Sequence, residues 1–142
     1  FVIMGCPELT DEAIVRLSGG CPHIMTIVVG DCPKVTDLGV CSLLRGCSLG
    51  TLSDSSMSFA GTAVSDTTLR ILADGCCPEL VTIGLSNTDV TLDGVMAMLD
   101  GCPNLASIGL LHNSEMSRMP EVAIAEDALD KIREKRPQLK VW

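Results

Sequence analysis

Four times along this chain a pair of aliphatic residues stands seven and four places ahead of a cysteine. The pairs are Ile14 and Leu17 before Cys21, Val40 and Leu43 before Cys47, Leu69 and Leu72 before Cys76, and Val95 and Met98 before Cys102. A fifth pair, Leu129 and Ile132, precedes Arg136. Residues three apart share one face of a helix, so each pair marks a short amphipathic helix. Ten residues before the markers stand Asp11, Asp37, Asp66, Leu92 and Glu126, mostly preceded by a hydroxyl residue, as Thr10, Thr36, Ser65 and Thr91. A hydroxyl that accepts an orphan amide, followed by an acid at the positive dipole end, is a helix-start signal. The pattern therefore predicts five helices in register, and a chain that repeats in this way builds its core by stacking similar units.

Between the helices lies a second pattern. Ile24, Ile27 and Val29 carry it, then Leu80, Ile83 and Leu85, then Leu105, Ile108 and Leu110, with a weaker copy at Met57 and Phe59. The period of two at the end of each group predicts a strand. Three places beyond it stand Cys32, Thr62, Thr88 and Asn113, with Cys6 in the same place after Ile3. A short side chain there can bond peptide groups left without strand partners as the backbone turns, offsetting about 1–3 kcal/mol per buried group. The Cys-Pro after a helix reads as a small hydrophobe that packs and a proline that ends the helix.

Together these elements give L-x-x-L-x-L-x-x-(C/N/T) followed by a Thr-Asp type helix start, with a period of about 25 to 30 residues,. The predicted fold is an α/β leucine-rich repeat solenoid, with a parallel concave sheet and short convex helices. Residues 1–142 read as a single domain of about four to five repeats. Phe1 to Met4 occupy a strand position with no polar segment before them, which leads to the expectation that the chain is the C-terminal part of a longer protein,. The last helix is read through EDALDKIREKRPQLKVW, with Lys131, Arg133, Lys135 and Arg136 opposing its own dipole,.

The strings CPKVTDLGVCSLLRGC and CPELTDEAIVRLSGGC, with the stretch from Cys77 to Cys102, resemble the cysteine-containing subtype of leucine-rich repeat found in F-box/LRR proteins. The resemblance implies a protein-binding solenoid. In F-box members the repeats bind the substrate for ubiquitin transfer. The expected function is thus a non-enzymatic protein–protein interaction domain, the substrate-recognition part of an F-box-type ubiquitin ligase adaptor. The alternative is a structural scaffold subunit packed in a large multiprotein assembly.

Composition narrows the partners. A formal net charge of −8 disfavours nucleic acid and anionic lipid, which need clustered Lys and Arg,. No apolar run approaches the roughly 20 residues of a membrane span, and no signal-peptide pattern opens the chain. A soluble, cytoplasmic protein without membrane insertion is expected, bound to a protein partner in a larger complex. Apolar residues make up 46% of the chain and aromatic residues 2%, so the core is expected to be aliphatic. The eight cysteines include no C-x-x-C, and the repeat accounts for the Cys-Pro pairs that resemble haem-responsive motifs. No metal, cofactor or catalytic residue is assigned, and the thiols are expected to be reduced and mostly buried.

The residues alternating with the buried strand positions are the candidate partner contacts. They are Thr26 and Val28 on one strand and Ser56 and Ser58 on the next, then Thr82, Gly84 and Ser86, then Ser107, Gly109 and Leu111. They are small and uncharged, with none of the Trp, Tyr or Arg that dominate binding hot spots. Arginine at Ser58, Gly84 and Gly109 is expected to leave folding intact. Two stretches exceed the period, one between Cys47 and Met57 and one from Ser114 to Val122. The second offers Met116, Arg118 and Met119 as adaptable contacts, or is simply a tolerated change of loop length.

Overall fold

All five helices start at the residues ten places ahead of the markers, and three of those starts carry the hydroxyl-acid pair. The computed structural model describes residues 1–21, 23–24, 26–46, 55–111 and 126–142. In chain order the elements are β1 (Val2–Met4), α1 (Asp11–Gly20), β2 (Thr26–Gly30), α2 (Asp37–Gly46), β3 (Ser55–Ser58) and α3 (Asp66–Ala73). Then follow β4 (Leu80–Gly84), α4 (Leu92–Gly101), β5 (Ser107–Gly109), α5 (Glu126–Lys135) and β6 (Lys140–Val141). The six strands form one sheet in chain order, each parallel to the next. Inward strand residues such as Ile27, Met57, Ile83 and Ile108 join the helix residues Ile14, Leu43, Leu69, Met98 and Ile132 in one continuous buried cluster. The result is an α/β fold in which a parallel sheet alternates with five helices, an order that fits a solenoid-like architecture.

The turn after each strand repeats closely. Gly5, Asp31, Gly61 and Asn87 all adopt positive φ, between 51° and 68°. This left-handed conformation favours Gly, Asn and Asp. Each of their amides donates to the next unit, to the carbonyls of Gly30, Ala60, Ser86 and Leu111. One residue later the side chain predicted to bond the turn does so: Cys32 Sγ donates to Gly30 O at 3.2 Å, Thr62 Oγ1 to Phe59 O and Thr88 Oγ1 to Leu85 O, both at 2.6 Å.

Two readings need correction. The last helix stops at Lys135, and the chain continues through Pro137 into β6, which closes the sheet beside β5. Lys135 and Arg136 serve α4 rather than their own helix. Lys135 Nζ donates to Met96 O and pairs with Asp100, while Arg136 donates to the carbonyls of Leu99, Cys102 and Pro103. Of these, the Leu99 carbonyl is one that the end of α4 leaves without a helical partner, because the residue four places on is Pro103, which has no N–H,. The third Cys-Pro register also shifts by one residue. Cys77, not Cys76, matches Cys102: both are fully buried, and their carbonyls accept from Leu80 and Leu105 respectively. A left-handed Gly75, whose amide donates to Leu72 O, accommodates the extra residue,.

The first-turn acids do more than meet the helix dipole. Asp11 accepts from the amide and hydroxyl of Thr36, in the next unit, at 2.8 and 2.6 Å. Asp66 accepts from the same groups of Thr91 at 2.8 and 2.6 Å. Asp37 accepts four bonds, from the amides and hydroxyls of Ser65 and Thr68. A Cβ on Gly39 would lie 2.6 Å from Asp11 Oδ1, and one on Gly94 would collide with the Asp66 carboxylate. Glycine therefore occupies the third helical position where the neighbouring acid fills that space. At the same position of α3, Thr68 instead bonds the acid through its hydroxyl.

Burial pushes the Asp37 carboxyl up, but the bonds from Ser65 and Thr68 outweigh it and hold the group below its ordinary range. A carboxyl with a lower pKa folded than unfolded binds its proton less readily in the native state, so folding weakens as it is protonated. The contribution is complete above the unfolded value of about 3.9 and is lost as pH falls through the folded one. Asp37→Asn is expected to lower stability by about 1–3 kcal/mol at neutral pH. It should also flatten the loss of stability below about pH 4, measured by urea unfolding across an acid series. An unchanged acid limb would contradict this role for Asp37.

Candidate partner-binding face

The face of the sheet away from the helices carries two rows of residues that pair across strands. Thr26, Ser56, Thr82 and Ser107 are successive partners, and Lys140 follows them on β6. Adjacent strands lie about 4.8 Å apart, so this is a continuous line of hydroxyls. Val2, Val28, Ser58, Gly84 and Gly109 form the second row. Ser86 and Leu111 lie past the strand ends, at the rim, where they accept the turn amides of the preceding unit. Met116, Arg118 and Met119 lie outside the described residues.

The face is not free of hot-spot side chains, contrary to the sequence reading. Trp142 lies over Gly109: a Cβ on that glycine would come 2.7 Å from the indole ring. The indole N–H donates to Ser107 Oγ at 2.8 Å, and the backbone of Trp142 continues the ladder to Ile108 and Leu110. Trp142 remains 50% exposed, so it presents an aromatic side chain beside the hydroxyl row. Gly84 is also covered, since a Cβ there would lie 2.7 Å from Ser58 Oγ. Arginine at Gly84 or Gly109 would therefore require Ser58 or Trp142 to shift, so these two positions are less open than the sequence pattern implies. Thr26 is exposed, and Ser56, Thr82 and Ser107 are half-buried.

On the helix side, α2 and α3 part to leave a groove of about 230 Å³, lined by Asp37, Leu38, Cys41, Arg45, Thr67 and Ile71. The cysteines are less uniformly buried than expected. Cys32, Cys77 and Cys102 are buried and Cys41 and Cys76 half-buried, but Cys6 and Cys21 are exposed. Among the described residues no group of three or more His, Cys, Asp or Glu side chains is placed to hold a metal ion. Among them, too, no helix is long and apolar enough to cross a membrane.

The arrangement defines an α/β repeat-like fold with a hydroxyl-lined face that ends at Lys140 and Trp142. Comparison with protein-family models finds no matching family, and comparison with curated proteins finds no match.

Ser86 Oγ is buried and has no hydrogen-bond partner among the described residues. An unpaired buried hydroxyl is unfavourable, so Ser86→Ala is expected to leave unfolding free energy unchanged or raise it by about 1 kcal/mol. Denaturant titration checks this. A clear loss of stability would contradict the placement of that hydroxyl.

Proposed function

We propose that the chain is a leucine-rich repeat solenoid that acts as a non-enzymatic protein-interaction domain, with its partner lying along the Thr26–Ser56–Thr82–Ser107 row. The observation that carries this reading is the row itself. Hydroxyls across four adjacent strands can donate to or accept from an extended or helical segment without fixing its side chains,. Trp142 adds what the row lacks, a large amphipathic side chain held in place by Ser107 at low entropic cost,. Lys140, at the end of the row, suits an acidic group on the partner.

The partner is a protein, in keeping with a net charge of −8 that disfavours nucleic acid,. The resemblance to F-box/LRR repeats supports a finer reading, in which the face receives the substrate of a ubiquitin ligase adaptor. Buried Cys32, Cys77 and Cys102 act as packing residues and support a reducing, cytoplasmic setting,.

Thr26→Arg combined with Thr82→Arg places two guanidinium groups on alternate strands, where the side chains have room. Thermal unfolding should change little, because surface substitutions away from buried contacts are typically worth within about 0.5 kcal/mol. Affinity capture from cell extract should lose the proteins that the unmodified chain retains. Under the adaptor reading, those same proteins accumulate in cells when the chain is removed. Capture of the same set by the double variant would rule out this face. Loss of capture without accumulation would keep the face and reject the ubiquitin reading.

A further inference from the structure

We propose that Cys76 and Cys77 form a vicinal dithiol that hydrogen peroxide oxidises to a disulfide, a modification site at the junction of α3 and β4. The two sulfurs lie 3.6 Å apart. Cys77 is fully buried and Cys76 half-buried, so a small oxidant approaches the pair from the Cys76 side, with the Cys77 sulfur next to it. That is the arrangement of an attacking thiol with its resolving partner.

The surroundings select which sulfur reacts. In the neutral pair Cys76 donates to Cys77, and a hydrogen bond with Cys77 favours the Cys76 thiolate. That bond, helped by the Arg45 guanidinium, holds the Cys76 thiol below its ordinary range against burial and the Asp74 carboxylate. The same bond and burial push Cys77 up, as do the thiols of Cys76 and Cys102. When the pair ionises, the charge falls on the half-buried Cys76 rather than on the fully buried Cys77. Burial pushes Cys102 up to about 12, and it also raises Cys41, which borders the α2–α3 groove. Neither competes as a nucleophile.

The reaction balances without further reagents. The Cys76 thiolate attacks one peroxide oxygen, the O–O bond breaks, and hydroxide leaves to take a proton as water. Cys76 is now a sulfenic acid and no longer holds the Cys77 proton. Cys77 passes its proton to the departing hydroxyl oxygen as it attacks the Cys76 sulfur, the S–O bond breaks, and a second water departs. Two thiols and one peroxide become one disulfide and two waters. Adjacent Cα atoms are about 3.8 Å apart across a trans peptide, below the range of about 4.4–6.8 Å that disulfides usually span. The bond is therefore strained and readily reduced by a dithiol, as regulatory disulfides are.

The test uses the full chain in its native state, treated with one equivalent of hydrogen peroxide, quenched in acid, blocked with N-ethylmaleimide and read by peptide mass. The peptide containing Cys76 and Cys77 should lose two hydrogens and take no maleimide before exposed Cys6 is consumed, and dithiothreitol should reverse the change. Cys77→Ser should stop at a dimedone-reactive sulfenic acid on Cys76, while Cys76→Ser should leave Cys77 reduced. Because Cys77 is buried, Cys77→Ala with a matching circular dichroism spectrum serves as a second trap. The proposal is overturned if this peptide still carries two maleimides when Cys6 is oxidised. It is equally overturned if Cys76 proceeds to sulfinic acid with Cys77 untouched.

Discussion

The fold depends on a carboxylate placed between the N-termini of two consecutive helices. Its helices run 8 to 10 residues and its strands 2 to 5, lengths that are not stable in isolation,. Asp11, Asp37 and Asp66 each accept the hydroxyl proton of the next unit's capping residue. That leaves the hydroxyl oxygen to accept from its own helix: Thr36 from Leu38, Ser65 from Thr67 and Thr91 from Gly94. One acid thereby sets the cap of the following helix. Thr10 has no such acid among the described residues and makes no side-chain cap bond. Where Leu92 replaces the acid, the joint moves to the other helix end, and Lys135 and Arg136 hold carbonyls in and just after the last turns of α4.

Much of this could be read from the sequence, because helix starts and inward strand positions depend on neighbours a few residues away. Thr36-Asp37, Ser65-Asp66 and the aliphatic pairs needed nothing more. The action of Asp on the next unit was not legible in the same way, since it joins residues 25 to 31 apart in the chain. Gly39 and Gly94 were its trace, two glycines inside helices at the same position, where glycine is otherwise costly,. The C-terminal segment misled because its charges suit a helix end, although Pro137 already forbade a continuing helix. A helix through that stretch would leave Trp142 no place on the sheet.

The two sites occupy different parts of the molecule for a physical reason. Strand residues pointing away from the helices are free of packing duty, so they can be small hydroxyls that suit a partner. The thiol pair arises instead from one extra residue between α3 and β4, which lets Cys77 take the buried place and leaves Cys76 half-exposed beside it. Asp37 links the two accounts of the helix side: it bonds Ser65 and Thr68 and borders the groove that also holds Cys41 and Arg45.

The dependence of the stack on its carboxylates is tested most directly by a double-mutant cycle between Asp66 and Gly94. Unfolding free energies would be measured in urea for Asp66→Ala, Gly94→Ala and the pair together. Each single change should cost about 1–3 kcal/mol, the first by unpairing Thr91 and the second by forcing a methyl against the carboxylate. The double variant should cost clearly less than the sum, because removing the carboxylate clears the space that the methyl needs. Additivity within about 0.5 kcal/mol would show that the two residues do not share that space and would contradict the carboxylate joint.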